Sequence, residues 1–407
     1  MRIGRTERVL RVVGAVSAVI SLTVALSPFV VVHHPDSPAC DSSEVNNLEA
    51  LSPEPEQEPQ ADWQLNATKS SSLLLKKSFL TIDPPSLAER VEILKEPPLG
   101  LTIHTYKLPN KWEKDLIARH PLCSTHQWAA EVKVPHLIRR RKTLVPTHPD
   151  MADFYLVPFP SKCYFNYVAG KNREKMNLVF SDLLAHLRKE HPWWDRSAGR
   201  DHIFIFPSGI GASMVPNWKR LMPDSVFLVA EGDRSKDYVN SWKDVIIPGV
   251  SGHHVLSKRL DRTPGKNRTN FIFFRGKMHT VDADINGKVT RTPMELRVRL
   301  REMLKNTNTT RRITFTDSLR VDLSYASEVS DSTFCICPRG STPWTRRVFD
   351  SIFSGCVPVV ISDDIEFPFE DFLPWNEFSI KITEQDALTP DYLVDPLAAI
   401  PSSVIER

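Results

Sequence analysis

The chain has 407 residues, 41% of them hydrophobic, with a formal net charge of +3. That length accommodates two domains with extensions, and the hydrophobic share excludes wholesale disorder. A balance so close to neutral offers no electrostatic footprint for nucleic acid.

Residues 1–11 carry Arg2, Arg5, Arg8 and Arg11, and an uncharged stretch runs from Val12 to Val32. A helix crossing a bilayer needs about 20 apolar residues. The arginines keep the N-terminus cytosolic and send the rest to the far side. The rival reading is a cleaved signal peptide, whose apolar core spans only about 7–15 residues. Length therefore favours an uncleaved signal anchor over 12–32, single-pass and type II. Residues 33–98 read as a lumenal stem. From Asp36 to Thr68 there is no Lys or Arg, and Ser52-Pro-Glu-Pro-Glu-Gln-Glu-Pro59 is typical of the stretch. Such a segment buries too little apolar surface to offset its ordering entropy. Three sequons, at Asn66, Asn267 and Asn308, are glycosylation candidates on the lumenal side. The cysteines are Cys40, Cys123, Cys163, Cys335, Cys337 and Cys356. They can pair in an oxidising lumen, in a pattern the sequence leaves open. Cys335 and Cys337, two apart on a strand, also read as small core residues. No Cys/His spacing of metal-site type occurs.

The folded part begins with strand Leu101–Tyr106, then strand Asp153–Phe159 and a helix over 175–189 with Leu178, Leu183, Leu184 and Leu187 along one side. Three further apolar strands follow at His202–Phe206, Val226–Ala230 and Asp244–Pro248. Apolar runs with little alternation mark strands covered on both faces, hence parallel sheets between helices. A polar linker over 257–270 leads to strand Phe271–Phe274. Thr292-Pro-Met-Glu295 carries helix-start signals: a Thr cap, Pro next and Glu three after the cap. The arginines of that helix read as a solvated face. Strand Ile313–Thr316 comes next. The organisation is two α/β lobes, at 99–256 and 268–385, with ligand at the carboxyl ends of the strands. Residues 386–407 read as a short, truncated C-terminal tail.

The run from Asp331 to Asp363 carries most of the chemistry. Thr333–Cys337 reads as a strand, Pro338-Arg-Gly-Ser-Thr342 as a loop and Trp344–Ser354 as a helix capped by Thr342, with Gly355 at its left-handed end. Val357–Ile361 is the next strand. A helix start favours an anion, Gly340 lets backbone come close, and Arg339 and Arg347 can bind phosphate. Asp350, three after Arg347, suits ribose hydroxyls. Together they suit a nucleotide diphosphate. The plain alternative is an Arg347–Asp350 ion pair beside a loop that merely turns. Arg275-Gly276-Lys277, a second basic glycine turn at a strand end, favours the ligand.

The pattern Cys-Pro-Arg-Gly, Trp-Thr-x-Arg, Asp-Ser-Ile, Gly-Cys-Val-Pro-Val-Val-Ile-Ser-Asp over Cys337–Asp363 resembles the exostosin-like glycosyltransferase family, plant cell-wall type. Ile365–Trp375, Ala152–Pro158, Trp194–Phe204 and Trp242–Gly249 resemble further family blocks, so the resemblance spans roughly 100–385. It implies an α/β, GT-B-like fold: two Rossmann-like lobes with a cleft between them, the donor in the C-terminal one. It also implies a Golgi membrane protein that moves sugar from a UDP-sugar to a cell-wall polysaccharide or glycan, with inversion and no bound metal or other cofactor. The implied donor set is Arg275, Gly276, Arg339, Gly340, Ser341, Arg347 and Asp350, with Asp363 and Asp364 near the sugar. There are two departures. The chain stops at Arg407, where family members usually continue with helix that braces the lobes, and Asp350 stands where the pattern often has Glu.

Inverting transfer needs a base for the acceptor hydroxyl. Glu231, with Asp233 close by, follows an acceptor-lobe strand and is the candidate; a solvated loop is the plain alternative. His104 is the reserve, although a lone strand histidine is more often structural. His253 and His254 read as loop residues. Asp282-Ala-Asp284 resembles a metal-holding pair but reads as a polar loop. The competing class is a non-catalytic lumenal subunit that binds glycan or stabilises a partner transferase. Association with other transferases or with itself is compatible with either class.

Overall fold

The computed structural model describes residues 101–250, 256, 268–283, 289–318, 320, 322–370 and 373–405. The expected anchor and stem, Asn66, Asn267, His253, His254 and Asp284 lie outside the described residues. Among the described residues no helix is long and apolar enough to cross a membrane.

The first lobe is built on β1 (Ile103–Thr105), β2 (Phe154–Leu156), β3 (His202–Phe206) and β4 (Val226–Val229). The short β5 (Gly232–Asp233) leaves this sheet, and β6 (Val245–Ile246) closes it. The order is β1-β2-β3-β4-β6, every pair parallel. Successive side chains of a strand point to opposite faces. Phe204, Phe206 and Phe227 accordingly join one core, while Ile203, Ile205 and Leu228 join the other. Three helices matter for the site: α1 (Ala130–Arg140), α2 (Ser161–Tyr167) and α3 (Arg173–Glu190). The Asn172 side chain caps α3 by accepting from the Lys175 amide. Phe180, Leu183, Leu184 and Leu187 form its buried face, but Leu178 is 67% exposed. The expected leucine stripe is one position off, with Met176 and Val179 filling the core instead.

The second lobe begins with β7 (Asn270–Arg275). A hairpin of β8 (His279–Ala283) and β9 (Val289–Pro293) follows, and then α4 (Glu295–Asn306). Asp282 therefore sits in a strand paired with Thr290, not in a loop. Thr292 pairs with Thr280 in the same hairpin, and Met294 takes the cap position of α4. The helix-start signals lose there to strand pairing. Next come β10 (Ile313–Thr316), α5 (Leu323–Ser330), β11 (Ser332–Pro338), α6 (Arg347–Ser354) and β12 (Val357–Ile361). The short β13 (Ile365–Glu366) and the edge strand β14 (Ile380–Ile382) complete the set. The parallel order is β10-β7-β11-β12-β14. In chain order that is 2-1-3-4-5, so the winding reverses between β7 and β11. Helix α7 (Pro390–Ala399), in the stretch read as a tail, buries Leu393, Val394 and Leu397 in the core of this sheet.

The lobes are stitched together. β5 of the first pairs antiparallel with β13 of the second, Asp233 opposite Ile365. Arg234 bonds Glu370 at 2.9 Å, and Phe369 inserts into the first lobe's core. Disulfides join Cys123 to Cys163 and Cys335 to Cys356, with Cα separations of 5.6 and 5.9 Å. Cys335 is thus a bridge rather than a plain core residue; Cys337 is free and buried.

Candidate functional site

Open parallel sheets bind ligands outside the carboxyl ends of their strands, where the winding reverses. In the second lobe that place lies between β7 and β11. β7 ends in Arg275-Gly276-Lys277 and β11 in Pro338-Arg339-Gly340, so the two basic glycine turns meet at the reversal. Helix α6 stands behind them. It starts at Arg347, later than expected, with no side-chain cap, and ends on Gly355 at φ +70°. Thr342 does not cap it; its hydroxyl reaches across to the other lobe.

Arg347 is the centre of this crevice. Its Nε donates to the Arg275 carbonyl at 2.7 Å, its Nη1 to Thr345 Oγ1 at 3.2 Å, and its guanidinium lies 5.0 Å over the Phe274 ring. A Cβ on Gly276 would collide with that guanidinium, so this turn needs glycine for close approach rather than for φ. Arg275 contributes its carbonyl. Its side chain turns away, to Ser324 Oγ at 2.9 Å and Glu328 at 3.3 Å on α5. Arg339 pairs with Glu384 at 3.6 Å, and Ser341 is exposed. The Asp363 carboxylate accepts from the Glu384 amide at 3.0 Å. The Asp364 carbonyl accepts from the Arg234 amide at the lobe junction.

Asp350 is 0% exposed. It accepts from the Tyr325 hydroxyl at 3.1 Å and pairs with Arg346 at 3.3 Å. The ion pair of the plain alternative forms with Arg346 rather than with Arg347. The carboxylate faces protein, not a ribose.

The first lobe brings its own charge to the junction. Glu231 follows β4 and is 5% exposed, and its Oε2 accepts from Thr342 Oγ1 at 2.9 Å. A Cβ on Gly209 would collide with both Glu231 and Thr342, so glycine lets the two lobes close there. The Trp128 indole N–H faces Glu231 without closing a hydrogen bond. Lys162, buried on α2, lies 4.6 Å over the Trp128 ring and supplies positive charge. Burial raises the Glu231 carboxyl to about 7, against the pull of Thr342 and Lys162. Burial pushes the Lys162 ammonium down to about 8, with Glu231 and Glu131 opposing. Glu131 is raised to about 7 by burial as well. Its two oxygens accept from the Lys162 and Cys163 amides, each at 2.8 Å, so it caps α2.

Asp233 is buried but committed to Ser235, accepting its amide at 2.9 Å and its hydroxyl at 2.6 Å. It anchors the turn after β5 and does not join Glu231. His104 lies 4.9 Å from Trp193 and 6.0 Å from Tyr155 in an aromatic cluster, and burial lowers its pKa. That is a packing role. The residues missed from sequence are Lys162, Glu131, Thr342 in its cross-lobe role, and Arg297. Arg297 reads as solvated, yet it is 4% exposed. Its place three before Leu300 on a helix face is the available signal.

A family model described as Exostosin GT47 domain matches residues 98–397. A probable glucuronoxylan glucuronosyltransferase of Arabidopsis thaliana is 29% identical over 318 residues, 76% of this chain and 66% of that protein. A second probable glucuronoxylan glucuronosyltransferase of the same plant, IRX7, is 30% identical over 319 residues, 76% and 69% of the two chains. Probable beta-1,4-xylosyltransferase IRX10, also from that plant, is 27% identical over 325 residues, covering 78% and 76%. With a family model spanning the whole of both lobes, the chain belongs to the exostosin GT47 family.

Proposed function

We propose that this glycosyltransferase moves a sugar from a UDP-sugar to a cell-wall polysaccharide, with inversion, in a GT-B arrangement. The observation that carries the reading is Arg347, held on the Arg275 carbonyl where the winding of the second sheet reverses. A fixed cation at that place, beside two glycine turns, suits a leaving diphosphate. The relatives' names point to glucuronosyl or xylosyl transfer, so UDP-glucuronic acid and UDP-xylose are the donors to try first.

The acceptor hydroxyl attacks the anomeric carbon while the bond from that carbon to the diphosphate oxygen breaks. The electron pair leaves with UDP, where Arg347 and the two turns stabilise it. The acceptor proton passes to Glu231, a carboxyl poised near neutral pH by burial. Asp350 holds Arg346 and Tyr325 in place behind the pocket. In this reading the countercharge to the leaving diphosphate comes from Arg347 and the turns, and no metal or cofactor is assigned. Two disulfides support an oxidising compartment, in keeping with a Golgi lumenal region on an N-terminal anchor. Asn308, exposed on the loop after α4, suits glycosylation there.

The test is a UDP-sugar panel on the region after the stem, with and without xylan oligosaccharides and with and without EDTA. Transfer that survives EDTA supports the reading. A protein that ignores UDP in calorimetry refutes it and leaves the non-catalytic subunit.

A further inference from the structure

Helix α4 carries Arg297, Arg299 and Arg301, and the three have different fates. The side chains of Arg299 and Arg301 are 59% and 41% exposed and pair with Glu295 and Glu302. Arg297 points inward, and its partners are carbonyls. Nε donates to Arg339 O at 2.9 Å, Nη1 to Lys277 O at 2.8 Å and Nη2 to Pro338 O at 3.3 Å. One planar fork thus binds both turns, the one after β7 and the one after β11. Gly340 completes the fit, since a Cβ there would stand 3.1 Å from Arg297 Nη2.

Burial lowers the pKa of both the Arg297 and Arg347 guanidinium groups, but a guanidinium keeps its charge at neutral pH, and a buried charge is costly unless paired. Among the described residues no carboxylate forms an ion pair with Arg297 or with Arg347. Both guanidinium groups lie over the ring of Phe274, at 5.5 and 5.0 Å. The titratable groups that act on Arg297 are Arg347, the Cys337 thiol and the Asp317 carboxylate. The buried Arg297 and the half-buried Arg347 thus set two guanidinium groups on one ring at the β7–β11 reversal, bonded to carbonyls, with Asp317 and Asp350 as the carboxylates that face them.

We propose that Arg297 is a positioning residue for donor binding, tying the two glycine turns at a fixed spacing and placing a second buried positive charge behind the diphosphate. The inference rests on the donor-pocket reading above. Lysine cannot replace the fork, because a point ammonium does not hold three carbonyls of two turns in one plane.

The experiment is calorimetry with UDP on the native protein and on Arg297→Lys, Arg297→Ala and Arg301→Ala, each checked for fold by circular dichroism. The native protein and Arg301→Ala are expected to bind UDP alike. Arg297→Lys and Arg297→Ala should bind at least about tenfold more weakly. Millimolar guanidinium ion should restore part of the loss in Arg297→Ala but not in the lysine variant, which a general loss of stability would not produce. If Arg297→Ala does not fold, Arg297→Lys decides alone. Native protein that binds UDP while the folded Arg297 variants bind it within twofold overturns this inference and leaves the donor reading standing. Native protein that ignores UDP overturns both.

Discussion

The two lobes hold the charges assigned to function in different ways. In the second lobe, Arg297 and Arg347 are held by backbone carbonyls and an aromatic face. In the first, Glu231 and Glu131 are held by amides and two hydroxyls from other elements, with Lys162 acting on both. The difference teaches a division of labour. A cation fixed by carbonyls keeps its charge at any working pH and suits a permanent anion. A carboxyl lifted by burial toward neutrality can exchange a proton and suits transfer. The Glu231 cluster touches the second lobe through the Thr342 hydroxyl.

Glu231→Gln should break the first-lobe side alone and give the largest effect. Glutamine keeps the shape and can still accept from Thr342, but it is no base. Turnover at saturating donor should fall by about 10²–10⁴, with UDP affinity within twofold of native. Rates and calorimetry on one preparation check both. Equal loss of UDP binding would show that the division does not exist.

Arg347→Ala attacks the other side. It removes the cation and strands the Arg275 carbonyl beside a hole. UDP affinity should fall by at least about 100-fold, roughly 2.7 kcal/mol, while circular dichroism keeps the α/β signature. Arg347→Lys should recover little, since the native group bonds the Arg275 carbonyl and Thr345 at once. Normal UDP binding by either variant would move the donor pocket elsewhere.

These sides are unequally legible in the sequence. The donor side lies in two short runs, Arg275-Gly-Lys and Pro338-Arg-Gly, and local pattern identifies it. The long apolar strands mark the parallel sheets for the same reason. The first-lobe cluster is assembled from residues 131, 162, 231 and 342, which share no local pattern; only the sheet brings them together. Glu231 stands out because it follows a strand, and Asp233 is singled out with it for the same reason, although it serves a turn. Arg297 is lost to composition, because a helix with several arginines reads as solvated until its register is known. Asp350 is read as a ribose ligand because a carboxylate near a basic loop suits hydroxyls, yet it is buried against Tyr325 and Arg346; three and four residues apart both face one side of a helix, and packing chooses Arg346.

Thr342→Val probes the joint between the lobes and should give a smaller effect. Valine keeps the shape and loses the hydrogen bond that holds Glu231 down against burial. The acid limb of kcat against pH, expected at about 7 in the native protein, should move upward. Activity should fall several-fold at neutral pH and recover in alkaline buffer, with UDP affinity unchanged. Thr342→Ser should behave as native. A uniform loss at every pH would assign Thr342 to packing alone.

The smallest effect is on stability, and its sign separates the lobes again. Burial raises Glu231 and Glu131 above the ordinary carboxyl range, to about 7 each, so the folded state holds their protons more tightly than the unfolded chain does. Their stabilising contribution is full below the unfolded carboxyl range and is lost as pH rises through about 7. The thermal midpoint should therefore drop between pH 5 and 8, and Glu231→Gln should flatten part of that drop because glutamine does not titrate. Arg347→Ala, whatever it costs overall, should leave the slope unchanged, since arginine keeps its charge throughout that window. Parallel melting curves at four pH values decide it: a slope that follows Arg347 rather than Glu231 would mean that the titrating charge sits in the donor lobe.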